Sequence, residues 1–309
     1  MAKLIYLVGL PGSGKSTYAN KLKEKGYKVF SSDSIRKELY GDESIQGDGN
    51  KIFKILHKRI SENLKNDVNC IYDSTGISSK RRMSFLNSIS HIGCVKTCIL
   101  FATPYEICLE RNSRRDRKVP EDVIKRMYTN FNIPYHSEGW DDIKIVWWEK
   151  DKEKYNSLGF NYTDSYYRWK NYDQKNSHHA LTLGDHMDKA CDISEEKGFP
   201  SHVKDACKYH DYGKPFVASF FDSRGNLSND CHYYKHENVS AYDSMFILKN
   251  GDEYYFLDDV ILYICALINL HMKPYTWKEE RTKEKYKELL GEKMYKDLMD
   301  LHYCDVNAH

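Results

Sequence analysis

Gly9-Leu10-Pro11-Gly12-Ser13-Gly14-Lys15-Ser16-Thr17 decides how the first half of this chain is read. It fits the spacing G-x-x-x-x-G-K-[ST], directly after the apolar run Leu4 to Val8 and before a plausible helix. A strand, a glycine turn and a helix N-terminus aim several backbone N–H groups at one point. Lys15 adds a full positive charge there, and the Ser16 hydroxyl can complete a Mg²⁺ shell. Gly12, Ser13, Gly14, Lys15, Ser16 and Thr17 are therefore the candidate binding residues for ATP or another nucleoside triphosphate with Mg²⁺.

Working outward, residues 1–148 alternate strand and helix patterns. Apolar runs suited to buried strands occur at Leu4 to Val8, Lys28 to Ser31, Cys70 to Tyr72, Val95 to Phe101 and Ile143 to Trp147. Helical patterns such as Thr17 to Lys25 and Ile52 to Leu64 lie between them, which predicts a parallel sheet flanked by helices. Ligands of such sheets sit at the carboxyl ends of the strands. The alternation fails over 149–176, read as a junction. Residues 177–309 carry long periodic segments, His186 to Glu196, Val203 to His210, Asn238 to Leu248, Val260 to Leu270 and Glu280 to Asp305, which predict an all-α second domain.

Composition narrows the class. The 309 residues carry 47 Lys and Arg against 45 Asp and Glu, a net charge of +2, so any nucleic-acid-binding surface has to be local. No apolar run approaches the roughly 20 residues of a membrane span. With no room for a signal peptide before the first strand, the expected location is cytoplasmic. The nine cysteines are scattered singly through apolar stretches, as buried free thiols rather than disulfides or zinc knuckles.

Phosphoryl transfer needs a group that orients the attacking hydroxyl and cations that neutralise the moving phosphoryl. Ser32-Asp33-Ser34-Ile35-Arg36 places a carboxylate and a guanidinium about one helical turn apart after the second strand. Asp33 is a candidate proton acceptor and Arg36 a candidate phosphate ligand; the competing reading makes Asp33 or Ser32 a helix cap and pairs Arg36 with Glu38 or solvent. Arg111 and Arg115, one turn apart in Arg111-Asn112-Ser113-Arg114-Arg115-Asp116-Arg117-Lys118, suit a lid over bound phosphates. These features, with Ile71-Tyr72-Asp73-Ser74-Thr75 and Val119-Pro120, resemble the kinase domain of phage-type 5′-hydroxyl polynucleotide kinases. The resemblance implies that Lys15 and Ser16 bind donor phosphates and Mg²⁺, that Asp33 is the general base, and that Arg36 contacts the acceptor phosphate. It also makes Arg115 and Arg111 lid arginines, and places Asp73 and Thr75 along the acceptor pocket. Gly76 and Ile77 depart from it, standing where more polar residues are expected.

In the second half, His210-Asp211-Tyr212-Gly213-Lys214 puts a histidine and an aspartate side by side at a helix end, with further histidines and a late aspartate far along the chain. Imidazole with carboxylate suits Mn²⁺, Co²⁺, Ni²⁺, Fe or Mg²⁺ and phosphoester hydrolysis, and the absence of cysteine argues against structural zinc. The set resembles the HD superfamily of metal-dependent phosphohydrolases. By that resemblance His186, His210, Asp211 and Asp305 are metal ligands, His236 and His271 are ligands of a second metal in two-metal members, and Lys214 and His179 contact phosphate.

Together the halves resemble bacterial enzymes that heal both ends of broken RNA, with the kinase placed first here. That implies phosphorylation of a 5′-hydroxyl end and removal of a 2′,3′-cyclic or terminal phosphate, RNA or DNA ends as substrate, and an RNA ligase as the enzyme that follows. Two alternatives stand beside it: a small-molecule or nucleotide kinase fused to an HD nucleotidase in salvage, and a non-catalytic ATP-binding switch. The aromatic and basic stretch Tyr166-Tyr167-Arg168-Trp169-Lys170 is either a junction element or a nucleic-acid clamp.

Overall fold

A computed structural model describes residues 1–148, 169–176, 180–250 and 256–309. His179 and the residues Tyr166, Tyr167 and Arg168 lie outside the described residues. The chain forms two compact units, one of Met1–Ile124 with Glu138–Trp148 and one of Lys125–Ser137 with Glu149–His309.

The first unit carries β1 (Ala2–Val8), α1 (Lys15–Lys23), β2 (Lys28–Ser31), α2 (Ser32–Tyr40), α3 (Gly49–Lys65), β3 (Cys70–Asp73), α4 (Ser79–Ser88), β4 (Cys94–Ala102), α5 (Tyr105–Ser113) and β5 (Asp142–Trp147). All five expected strands form, in the order β2-β3-β1-β4-β5, and every pairing is parallel. Being central, β1 is apolar on both faces; Leu4, Tyr6, Leu7 and Val8 are all buried. Helix α3 packs through Ile52, Leu56, Ile60 and Leu64, spaced at four residues. Burying each contributes about 2 kcal/mol. The loops after β1, β2 and β3 meet at one sheet edge, where the strand order reverses at β1.

In the second unit are α7 (Leu183–Glu196), α8 (Ser201–Tyr209), a short α9 (Lys214–Val217), β6 (Ser219–Phe221), β7 (Leu227–His232), α10 (His236–Asn250), α11 (Asp258–Leu270) and α12 (Glu280–Asn307). The antiparallel β6–β7 hairpin corrects the expectation of an all-α domain. Its strands are short, β6 having only three residues and β7 being mostly polar, so no apolar alternation marks them. Its turn is built by Asp222, whose Oδ1 accepts from the N–H groups of Arg224 and Asn226, both at 2.8 Å. Gly291, with φ 77° and ψ 160°, interrupts α12, so the segment read as one continuous helix is two joined at a kink.

Helix α6 (Glu121–Tyr128) spans the division between the units. Beyond Ile124 the chain is held by the second unit. The Tyr128 hydroxyl donates to Asp243 at 2.6 Å, Ile133 N–H to the Asn269 side chain at 3.1 Å, and the Ser137 hydroxyl to the Leu290 carbonyl at 3.2 Å. Residues 125–137 thus group with the second unit. All nine cysteines are buried and free. No helix among the described residues is long and apolar enough to cross a membrane.

Candidate functional site

The phosphate loop has the geometry its glycines require. Gly12 adopts φ +86°, and a Cβ there would meet the Cys108 carbonyl oxygen at 2.5 Å. Gly12→Ala is therefore expected to abolish nucleotide binding, as a titration with fluorescent ATP would read. Gly14, at φ +99°, precedes the first turn of α1. The Lys15 ammonium folds onto the carbonyls of Gly9 and Leu10, each at 2.8 Å, and Ser13 Oγ at 3.3 Å. Burial lowers its pKa to about 8, against the opposing pull of Asp73.

Asp73, expected in the acceptor pocket, stands at the end of β3 beside β1 and hydrogen-bonds Ser16. Burial raises its pKa while Lys15 and that hydrogen bond pull the other way. Thr75 ties the same strand end to the loop, its carbonyl accepting from Gly9 N–H at 2.9 Å.

Ser31, not Ser32 or Asp33, caps α2, accepting from Ser34 N–H at 3.0 Å. Asp33 is left for other partners: its Oδ1 pairs with Arg36 at 2.5 Å and its Oδ2 with Arg117 at 3.3 Å. Glu38 pairs with Arg59 instead of Arg36. Buried Arg36 Nε has no hydrogen-bond partner among the described residues. Helix α5 ends at Ser113, and Arg115 lies in the loop beyond it. The charges of Arg115 and Asp33 still act on Lys15 and Asp73. Exposed Arg111, on α5, has its charge near Cys108.

Arg117, which the sequence reading passed over, joins the lid loop to Asp33 and to Glu43, reaching the Glu43 carboxylate and carbonyl at 3.0 Å each. Half-exposed pairs of this kind are worth about 0–1 kcal/mol. Arg117→Ala should thus leave the melting temperature nearly unchanged while lowering kcat/KM for phosphoryl transfer about tenfold. Equal kinetics would exclude a role for this tie.

The second unit brings six expected residues into two groups sharing one carboxylate. His186, His210, Asp211 and Asp305 form the first group, and Asp211, His236 and His271 the second. His186 Nε2 stands 3.1 Å from His210 Nε2 and 3.3 Å from both Asp211 Oδ2 and Asp305 Oδ1. On the other side, Asp211 Oδ1 lies 2.9 Å from His236 Nε2 and 3.7 Å from His271 Nε2, with the two imidazole nitrogens 3.1 Å apart. Ligands about 2.1 Å from a tetrahedral ion lie roughly 3.4 Å from one another, so both groups have the right size for a cation.

The tautomers fit as well. Each Nδ1 lies 2.7 Å from a backbone carbonyl: His186 to Ala308, His210 to Cys207, His236 to Tyr233 and His271 to Ile268. A carbonyl only accepts, so each Nδ1 carries a proton and Nε2 is the nitrogen left for a cation. Against burial, Asp211 and Asp305 raise His186 to about 10 and Asp211 raises His236, so a cation would displace protons there. Burial works against the Asp211 and Asp305 carboxylates. Lys214 and the histidines beside Asp211, and His186 and His210 beside Asp305, nevertheless hold both well below the usual range, in the charged form a cation needs. Burial and the neighbouring imidazoles push His271 down to about 3.

Around this core, buried Lys214 pairs with Asp211 Oδ2 at 2.6 Å and donates to Gln174 Oε1 at 2.8 Å. The Tyr275 hydroxyl donates to Asp305 Oδ2 at 2.9 Å. Gln174, Tyr275 and the Ala308 carbonyl carry no motif by which sequence could reveal them.

Residues 4–134 match the family model described as an AAA domain. With the sheet and loop above, they form a P-loop kinase-type domain. The L-seryl-tRNA(Sec) kinase of Methanococcus maripaludis is 31% identical over 167 residues, 50% of this chain and 62% of that protein. This chain thus spans less than two thirds of that relative's length. The dephospho-CoA kinase of Fusobacterium nucleatum is 28% identical over 160 residues, 41% of this chain and 83% of that protein. Among solved structures, a chain of the Pnkp1/Rnl/Hen1 RNA repair complex aligns over 42% of this chain and 43% of its own, at 24% identity and a TM-score of 0.39.

Proposed function

We propose that this chain heals broken polynucleotide ends: its first unit phosphorylates a 5′-hydroxyl and its second removes a 2′,3′-cyclic or terminal phosphate. The observation that carries this reading is the presence, in one chain, of the Asp33–Arg36 pair beside the phosphate loop and of two ligand groups sharing Asp211. A binding switch needs neither.

In the first unit the loop amides and Lys15 hold the donor phosphates, and Ser16 with Asp73 would hold Mg²⁺. Asp33 accepts the proton of the attacking hydroxyl, since a carboxylate with two ion-pair partners keeps further lone pairs. The hydroxyl oxygen bonds to the γ-phosphorus as the bridge to the β-phosphate breaks, and the nucleoside diphosphate leaves. Arg115 faces the developing charge, and the unpartnered Nε of Arg36 suits the acceptor phosphate.

In the second unit, His186, His210, Asp211 and Asp305 would hold one divalent cation and Asp211, His236 and His271 another, with Mn²⁺, Co²⁺, Ni²⁺ or Fe suiting the donor set. When bound, the pair supplies Lewis acidity to a phosphoryl oxygen and acidifies water near neutral pH. Lys214 holds Asp211 between the two groups, and Tyr275 fixes Asp305. The products, a 5′-phosphate and a free 3′-hydroxyl, are what an RNA ligase consumes.

The relative named L-seryl-tRNA(Sec) kinase supports an acceptor hydroxyl carried on RNA. The one named dephospho-CoA kinase favours the second reading, a small-molecule acceptor. Incubation with ATP, Mg²⁺ or Mn²⁺ and a short RNA bearing a 5′-hydroxyl and a 2′,3′-cyclic phosphate decides between them. Gain of a 5′-phosphate and conversion of the other end to a diol, both read by mass, are expected; two unchanged ends would shift the assignment to the small-molecule kinase.

Lys15 gives the donor site a pH signature. Bound phosphates favour the ammonium, so the pKa of about 8 rises on nucleotide binding and the complex takes up a proton above that pH. ATP affinity is expected to be flat below pH 8 and to fall by up to about tenfold per pH unit above it. A flat calorimetric profile to roughly pH 10 would contradict this, since the ordinary lysine pKa is about 10.4.

A further inference from the structure

Among the described ligand histidines, His186 alone is oriented from a distant part of the chain. His210, His236 and His271 each donate Nδ1–H to a carbonyl three residues earlier. His186 lies inside α7 and donates instead to Ala308, which caps the end of α12. Ala308 is 1% exposed, so this carbonyl is seated by packing. The His309 ring stacks on the His186 ring, with centroids 6.4 Å apart and planes at 26°. Lys189, one turn along α7, donates its ammonium hydrogen to the His309 carbonyl.

We infer that Ala308 and His309 form a clasp that positions His186, so that occupancy of the first cation site depends on the end of α12 while the second site does not. The inference rests on the proposed reading of these groups as a cation centre. Asp305 and Ala308 leave the same final turn of α12, and one lies beside Nε2 of His186 while the other accepts from its Nδ1. A carbonyl acceptor at Nδ1 fixes ring and tautomer, and losing such a partner typically weakens metal binding about 10–100-fold. The second group draws its orienting carbonyls from Tyr233 and Ile268, each three residues before its histidine, and from neither Ala308 nor His309.

The test is Mn²⁺ titration by calorimetry, with metal content by mass spectrometry, on the full chain, a chain ending at Ala308 and a chain ending at Asn307. The full chain should bind two ions at full affinity, and the chain ending at Ala308, which lacks the His309 ring and the Lys189 tie, should bind one of them more weakly. The chain ending at Asn307 should keep one and bind the other about 10–100-fold more weakly. Two ions bound at full affinity without residues 308 and 309 would overturn the inference. If that chain loses both ions, Lys189→Ala decides: weakening of one ion supports the clasp, and two unchanged affinities overturn it. A full chain that binds no divalent ion would instead remove the reading of the centre itself.

Discussion

Asp211→Asn should empty both cation positions and lower phosphoester hydrolysis on the order of 10³-fold or more, while leaving phosphorylation of a 5′-hydroxyl unchanged. No other residue of the cluster belongs to both groups, one oxygen facing His186 and His210 and the other His236 and His271. An amide keeps the shape but contributes no charge, and its nitrogen presents hydrogens to one of the two pairs of Nε2 lone pairs. The substitution also strips buried Lys214 of its ion-pair partner. A fall of about 3 kcal/mol in stability should accompany the loss of metal. His271→Ala serves as the contrast, since it removes a ligand from one group only and should leave one ion bound. Metal analysis showing two ions in the Asp211→Asn protein would refute the shared-carboxylate arrangement. Simultaneous loss of kinase activity would refute two independent sites.

How much of this was legible in the sequence depended on how locally each feature is encoded. The phosphate loop is contiguous, and its strand and helix flank it directly, so spacing alone located Lys15 and Ser16. The adjacent pair His210-Asp211 was local as well. Convergence of His186 and Asp305 on that pair rested on a family pattern, because two helices far apart in the chain supply them. Asn112 bonds both the N–H and the carbonyl of Val119, at 3.0 and 2.8 Å, and thereby turns the chain back so that Arg117 reaches Asp33, a contact that residue spacing does not announce. The place of Asp73 beside Ser16 follows from β3 lying next to β1, a tertiary fact. The β6–β7 hairpin had no periodicity to reveal it, and orienting groups such as the Ala308 carbonyl have no side-chain signature at all.

Gly76, where more polar residues were expected, leads to the largest effect on stability. It adopts φ +58°, and a Cβ there would lie 2.8 Å from the Tyr6 ring and 2.9 Å from the Leu7 carbonyl. Its own carbonyl accepts from Arg82 at 2.7 Å. Fully buried Arg82 is in turn held by both oxygens of buried Glu138, at 2.7 and 2.5 Å, and Trp140 donates to the same carboxylate at 3.0 Å. Glu138 therefore fixes Arg82, Arg82 fixes Gly76, and Gly76 follows the strand end that carries Asp73 and Thr75. Glu138→Gln leaves a buried guanidinium facing a neutral amide that accepts through only one oxygen. The expected cost is about 3–5 kcal/mol, against total stabilities of about 5–15 kcal/mol. In a unit of this size that lowers the melting temperature by about 10 °C or more. Replacing the whole pair, Arg82→Met with Glu138→Leu, should recover much of that loss, since apolar residues of similar volume often substitute well for a buried ion pair. It should not recover the hold on Gly76. The double variant is thus expected to fold well, yet show a raised KM for Mg²⁺–ATP, because the loosened strand end carries Asp73 beside Ser16 and Thr75 against Gly9. Recovery of both stability and KM would mean that the buried pair serves the core alone.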